Sequence, residues 1–278
     1  KGMNKRVVWI IAKKYMKSII SIKQILLPML ILPTVLCVIM PAVLIFFLQA
    51  NHLSFINGLD QMVTLIGEIP GREGEMIRHL SDKKSQMIYL FVNYILPSLF
   101  LLVPVITSMM IAANSFVGEK ERRTLESLLF APINIKDLFL GKVLSAILPS
   151  MTISLGAFVL GAIIINVLTY GQFNGFLFLT ANWFLFVLWI VPSLTTLTIL
   201  FNVLISARVK GFQEAQQLGG VTVLPIIGLL ISQVSGLFFF NPVIIFLIGI
   251  ILIILSIFIL LKIAKMNERH ILFEKQVH

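Results

Sequence analysis

The chain has 278 residues, of which 58% are hydrophobic and only 12% are charged, whereas a soluble domain carries about 25% charged residues. This composition excludes an ordinary soluble protein and places most of the chain in lipid. The net charge of +10 does not indicate nucleic-acid binding, because the basic residues lie beside apolar runs, where they face anionic lipid headgroups.

Residues 1–24 predict an amphipathic helix that lies in the membrane interface. Apolar residues recur at helical spacing on one side, and basic residues occupy the other side. The apolar set is Val8, Ile11, Ala12, Tyr15, Ile19 and Ile22, and the basic set is Lys5, Arg6, Lys13, Lys14 and Lys17. Basic amphipathic helices of this kind bind at the level of the lipid headgroups. The alternative is a solvated, charged leader.

Six apolar runs follow, and each is long enough to cross a hydrocarbon core of about 30 Å. Lipid leaves no water for the backbone amides, so each run must be a helix. We therefore predict an all-α, polytopic membrane protein in which residues 1–278 form a single transmembrane domain. The first run is too long for a cleavable signal peptide and is expected to remain as a span. The runs are Ile25–Leu48, Met87–Ala113, Val143–Leu168, Thr180–Ile205, Gly220–Phe240 and Pro242–Leu261.

Prolines predict local breaks in this pattern. Pro28, Pro33 and Pro41 lie within the first run, which we expect to be kinked or partly unwound. The last two runs read almost as one apolar element until Asn241-Pro242. Proline removes a backbone donor and biases the residue before it away from helix. We therefore expect a tight hairpin there.

The distribution of basic residues predicts the orientation. Residues 1–24, 114–142, 206–219 and 262–278 together contain 18 Lys and Arg, whereas the remaining connections contain 4. Cytoplasmic connections are enriched in Lys and Arg. Both termini are therefore expected in the cytoplasm, and residues 49–86 form an extracellular loop.

The six apolar runs contain no Asp, Glu, Lys, Arg or His. Such groups mark the sites of intramembrane proteases, proton-coupled carriers and carboxylate-based sodium sites, so the sequence argues against all three. The four histidines lie outside the runs, and the chain has no phosphate-binding G-x-x-x-x-G-K-[ST] loop. We predict that this chain is not an enzyme and that it binds no cofactor or metal. Cys37, the one cysteine, is expected to serve packing.

Mildly polar residues enter the second and fifth runs and are candidates for lining a transport pathway. They could instead be interhelical hydrogen-bond partners of modest strength. The candidates are Asn93, Tyr94, Thr107 and Ser108 in the second run, where Ser98 also lies, and Ser232, Gln233 and Ser235 in the fifth.

The most informative connection is Asn114–Lys142, which carries charges of both signs. Thr124 can begin a helix whose apolar stripe is Leu125, Leu128 and Leu129, and Pro132 ends it. Asn134 with Asp137 resembles a capping arrangement for the next helix. A short amphipathic helix between two spans suits docking into a groove of a soluble partner. The alternative is an ordinary solvated loop.

The run G-E-K-E-x-x-T-L-E-x-L-L-x-x-P-I, followed by G-K, is similar to the signature of the type-2 permease family of ATP-binding-cassette (ABC) exporters. In that family it lies between the second and third of six spans, as it does here. Arg123 departs from the pattern, because the family often has glycine at this position. The resemblance implies a cytoplasmic coupling helix that contacts an ATPase subunit. It assigns to this contact Glu119, Glu121, Thr124, Leu125, Glu126, Leu128, Leu129 and Pro132, and Arg122, one of the charged residues around the predicted helix, is a further candidate.

The resemblance further implies a permease subunit of an ATP-driven exporter in a prokaryotic plasma membrane. Its expected partners are ABC ATPase subunits, which carry the ATP and Mg, a second permease, identical or paralogous, and membrane lipids. We expect an amphipathic or hydrophobic cargo such as a drug, lipid or peptide. Two alternatives stay open: a sodium exporter of the same family, and a non-transporting immunity or sensor protein. The latter would bind its target through Arg72, Glu73, Glu75 and Arg78 of the outer loop.

Overall fold

The computed structural model describes residues 4–50, 64, 72–80, 82–121, 135–173, 175–178, 180–206, 208–209, 211–235 and 241–276. Within these ranges its regular structure is helical, and six helices are long and apolar enough to cross a membrane. The predicted all-α class with six spans is therefore confirmed. Spans one to six are Lys23–Gln49, Lys83–Gly118, Asp137–Phe173, Asn182–Ser206, Phe212–Val234 and Pro242–Lys265.

Several spans belong to helices that continue beyond the apolar stretch. The helix of span two continues to Glu121, that of span three begins at Ile135, and that of span six reaches Gln276. Two shorter helices complete the described part of the chain. They are the N-terminal helix, Lys5–Ser21, and the outer helix, Arg72–His79.

The N-terminal helix begins at Asn4, whose side chain accepts hydrogen bonds from the backbone amides of Arg6 and Val7. It ends where Ile22 adopts an extended conformation. Its apolar face is buried in the protein, mainly against the helix of span three, so that face does not lie in lipid. The buried members are Val8, Ile11, Ala12, Tyr15 and Ile19.

Spans one, two and four each contain a widened, π-helical turn that ends two residues before a proline. These turns are Val35–Ile39, Phe91–Ile95 and Phe186–Ile190, and the prolines are Pro41, Pro97 and Pro192. A proline ring clashes with the carbonyl four residues earlier in a regular α-helix, and a π-bulge displaces that carbonyl. Span one is therefore continuous, and its expected interruption takes the form of a widened turn.

Span two lies at the centre of the bundle. In its most apolar stretch 83% of the residues are buried, compared with 17% in spans five and six. An aromatic cluster joins spans two, three and four, and Phe178 stacks on Trp183 with ring centroids 4.2 Å apart. Gly161 of span three lets the backbone of span one approach, because an added Cβ would lie 2.9 Å from the Cys37 carbonyl oxygen.

Three connections differ from the sequence-based boundaries. Asp82 caps the helix of span two by accepting a hydrogen bond from the Lys84 amide, so residues 83–86 belong to that span and not to the outer loop. Residues 114–121 continue the same helix. Residues 212–219, assigned by sequence to a connection, are helical and continue into span five through a 3₁₀ turn at Gly220–Val223.

The break before span six lies where the sequence predicts it. Pro242 is the first residue of the helix, and the Asn241 side chain accepts a hydrogen bond from the Ile244 amide at 2.8 Å. Asparagine before the helix and proline at its first position are both preferred there. The residues between Ser235 and Asn241 lie outside the described ranges.

Spans four and six are held together at Gly249, and substitution of this glycine should weaken the bundle. Trp189 stacks on Phe246 and donates from its indole nitrogen to the Phe246 carbonyl at 3.2 Å. A Cβ on Gly249 would collide with the Trp189 indole. We expect Gly249→Ala to cost about 1–3 kcal/mol of stability through overpacking.

Gly156→Ala is the matched control, because nothing lies within 4 Å of a Cβ at that helical position. Thermal unfolding of the two variants in the same detergent measures the difference. Equal unfolding temperatures for Gly249→Ala and Gly156→Ala would show that the close packing of Gly249 on Trp189 does not contribute to stability.

Candidate coupling region and transport pathway

Two helices lead into and out of the predicted coupling region. The first, that of span two, carries Glu119 and Glu121 in its last turn, and the second begins at Ile135. The backbone of Glu119 and Glu121 therefore lies at the end of a helix. The other predicted coupling residues lie outside the described ranges: Arg122, Thr124, Leu125, Glu126, Leu128, Leu129 and Pro132.

A buried lysine lies where these two helices meet the N-terminal helix. Lys142 of span three is only 5% exposed. Its Nζ lies 5.3 Å from the ring centroid of Tyr15 and 5.4 Å from that of Phe116. Cations are attracted to aromatic faces within about 6 Å. One side chain thus contacts the N-terminal helix and the end of span two.

The N-terminal helix makes further contacts with span three near Lys142, and we call this contact region the junction. The backbone amide of Asn4 donates to Oδ2 of Asp137 at 3.4 Å, and Asp137 is 4% exposed. Gly141 allows the helices to approach closely, because an added Cβ would lie 2.6 Å from Cγ2 of Ile11. The predicted capping partner of Asp137, Asn134, lies outside the described ranges.

The predicted pathway residues of span two mostly bond to their own helix. Thr107 and Ser108 are fully buried and donate to the carbonyls of Val103 and Val105. Asn93 is half-buried and donates to the Tyr89 carbonyl at 3.1 Å, and Tyr94 is buried. This arrangement satisfies polar groups locally, as expected in a low-dielectric interior. Of these four residues, Asn93 also lines a small cavity.

The fifth span contributes one predicted residue that reaches span two. Gln233 is fully buried, and its Oε1 accepts a hydrogen bond from the Ser98 hydroxyl at 2.6 Å. The Nε2 group of Gln233 is buried without a hydrogen-bond partner. Ser232 is half-buried and Ser235 is exposed. Ser98 and Gln233 therefore join spans two and five through one polar contact.

A small polar cavity lies beside Asn93 and was not foreseen from the sequence. It measures about 10 Å³, which is about the room that one water molecule needs. The indole nitrogen of Trp183, which lines it, is buried without a partner. The sequence could have indicated this cavity, because Asn182 and Trp183 place two adjacent polar groups in an apolar run. Its lining is Asn93, Pro97, Asn182, Trp183, Phe186 and Ile245.

Span four also buries a polar stripe that sequence reasoning missed. Thr195, Thr198 and Asn202 are buried at helical spacing, so their periodicity could have revealed them. Oδ1 of Asn202 has no hydrogen-bond partner. A Cβ at Gly219 would lie 2.6 Å from this atom and 2.9 Å from Cγ of Met109. The inner end of span five is thus in close contact with spans two and four.

The sequence of this chain matches one known protein family. Residues 9–238, more than half of the chain, match the model of a family described as ABC-2 family transporter protein. The matched range contains spans one to five and the junction around Lys142. The comparisons with curated proteins and with solved structures found no match.

Ser98→Ala should loosen the C-terminal end of span five. It leaves Oε1 of Gln233 buried without its donor, and interhelical hydrogen bonds in membranes contribute about 0.6 kcal/mol on average. In a Cys37→Ala background, the labelling rate of Ser232→Cys, a half-buried position next to Gln233, should rise about threefold in lipid nanodiscs.

Ser154→Ala is the control, because this serine is equally buried and bonds only to the Ser150 carbonyl of its own helix. The control should leave the labelling rate unchanged. If Ser232→Cys is labelled at the same rate with and without Ser98, the hydrogen bond does not hold spans two and five together.

Proposed function

We propose that this chain, which belongs to the ABC-2 family of transporter proteins, is the permease subunit of an ATP-driven exporter. The observation that carries the proposal is the family match over a chain with six membrane-spanning helices. The cargo would be amphipathic or hydrophobic, such as a drug, lipid or peptide. This choice is supported by spans that offer mild polar groups and by the absence of Asp, Glu, Lys, Arg and His from the six apolar runs of the sequence.

The proposed motor is a separate ABC ATPase subunit, because the chain has no phosphate-binding loop of its own. It would bind ATP and Mg and dock on residues 119–132. The helices of spans two and three support this proposal, since they lead directly into and out of that segment. A second permease, identical or paralogous, would complete the assembly.

The proposed cycle couples ATP binding to a rearrangement of spans two and five. Closure of the ATPase pair would displace the coupling region at the cytoplasmic end of span two. The cycle is productive if the two permease states differ in their affinity for cargo. Span two supports this route because it occupies the centre of the bundle and carries the polar contact between Ser98 and Gln233.

The chain is a multi-pass membrane protein, and we propose a prokaryotic plasma membrane with both termini in the cytoplasm. The N-terminal helix would contact lipid with the side that is not packed on span three. That side exposes Trp9 and Ile20 next to Arg6, Lys13 and Lys17. Tryptophan beside basic residues favours a position at anionic headgroups.

Co-purification tests the motor contact. The tagged chain, isolated in mild detergent from its own cells, should bring down a nucleotide-binding subunit and hydrolyse ATP. Leu125→Asp with Leu128→Asp should abolish both, because the substitutions place two charges on the proposed apolar docking stripe. Glu75→Gln, on the exposed side of the outer helix, is the control and should leave both unchanged.

The same preparation separates this proposal from its rivals. Hydrolysis that depends on sodium and on no organic cargo would favour sodium export. A preparation with no ATPase, whose partner is lost in Arg72→Ala or Arg78→Ala, would favour an immunity or sensor protein and would refute the exporter assignment.

A further inference from the structure

We propose that Lys142 is a positioning residue whose buried ammonium group holds the N-terminal helix to the two helices that flank residues 122–134. A displacement of that segment would then reach the N-terminal helix directly. The inference rests on the proposed function only in naming the motor as the source of the displacement. The junction itself is a property of this chain.

The first argument is the environment of the cation. Lys142 is 5% exposed, and a buried ammonium group is costly unless it has compensating contacts. Two aromatic faces lie within reach, those of Tyr15 at 5.3 Å and Phe116 at 5.4 Å. Desolvated cation–π contacts are the strong ones of their class. The cation is therefore stabilised by two rings that come from different helices.

The second argument is the position of those three residues along the chain. Phe116 lies shortly before Glu121, where the helix of span two ends, and Lys142 lies shortly after Ile135, where the next helix begins. Each is within about two helical turns of the segment between them. Tyr15 belongs to the N-terminal helix. Lys142 thus connects both ends of the coupling region to a third element.

The third argument is that the N-terminal helix follows span three beyond this one contact. Asn4 meets Asp137, Ile11 meets Gly141, and Ile19 shares a buried cluster with Ala146. These contacts advance in the same direction along both helices. The N-terminal helix and the beginning of span three therefore form one packed unit, and Lys142 joins span two to it.

Two pairs of variants separate the charge from simple packing. Lys142→Arg keeps a cation, whereas Lys142→Met keeps a long side chain without charge. Tyr15→Phe keeps the aromatic face, whereas Tyr15→Leu removes it. If the cation–π contacts hold the junction, the arginine and phenylalanine variants should behave like the parent chain, and the methionine and leucine variants should not.

The measurement is the distance between spin labels at Ser18→Cys and Lys83→Cys in a Cys37→Ala background, in lipid nanodiscs. Both label positions are exposed, and they lie on the N-terminal helix and in the first turn of span two. In the chain alone, Lys142→Met and Tyr15→Leu should broaden the distance distribution. In the complex with the ATPase subunit, trapping of ATP should shift the parent distance, and these two variants should lose most of that shift.

The outcomes are distinct. Unchanged distributions in Lys142→Met and Tyr15→Leu would overturn the inference, and so would equal broadening in all four variants, which would show that packing alone matters. The measurement on the chain alone decides this even when no ATPase subunit is found. Failure to recover an ATPase would instead count against the proposed function.

Discussion

The fold depends on one constraint: a bilayer interior offers no water to backbone or side-chain polar groups. Many hydroxyl-bearing residues of the spans meet this constraint within their own helices. Thr107, Ser150, Thr169 and Thr195 all donate to the carbonyl four residues earlier. Other polar side chains bond to a neighbouring helix and so link the spans. Examples are Ser98 with Gln233, Gln172 with Ser85, Trp189 with the Phe246 carbonyl, and Lys142 with its two rings.

The same constraint explains how the spans tolerate proline. A proline inside a helix frees a carbonyl, which in lipid must be accommodated locally. The π-helical turns before Pro41, Pro97 and Pro192 do so without breaking the helices. Two of the three widened turns, in spans two and four, border the polar cavity at Asn93 and Trp183. Local proline chemistry thus places the cavity, because π-bulges change which side chains face the neighbouring span.

The sequence was sufficient for features that depend on length and local chemistry. Six apolar runs predicted six spans, and Asn241-Pro242 predicted the start of span six. Features that depend on a distant partner were not predictable. The periodicity of Val8 and Ile11 predicted an amphipathic helix but did not reveal what covers its apolar face, and span three covers it. Lys142 was counted among the basic residues beside the spans, since one sequence cannot show that Tyr15 and Phe116 enclose it.

The candidate site was predictable to a smaller extent. Gln233 was singled out as one of the mildly polar residues of the fifth run, but its bond to Ser98 follows only from the packing of spans two and five. The proposed roles of Thr124, Leu125 and Glu126 continue to rest on the resemblance, since these residues lie outside the described ranges. Their neighbours on both sides are placed, however, and the two flanking helices converge on Lys142.

The contacts at the two ends of the bundle differ in strength, and this difference bears on the proposed mechanism. At the end of the bundle that carries Lys142, two rings enclose the cation, and Gly141 and Gly219 allow close helix packing. Near Ser235, the described part of span five bonds to span two through the neutral hydrogen bond between Ser98 and Gln233, and such a bond contributes about 0.6 kcal/mol. Desolvated cation–π contacts reach about 2 kcal/mol each. In the proposed mechanism, a displacement that begins near Lys142 would therefore move the junction as a unit, and the Ser98–Gln233 hydrogen bond would separate before it.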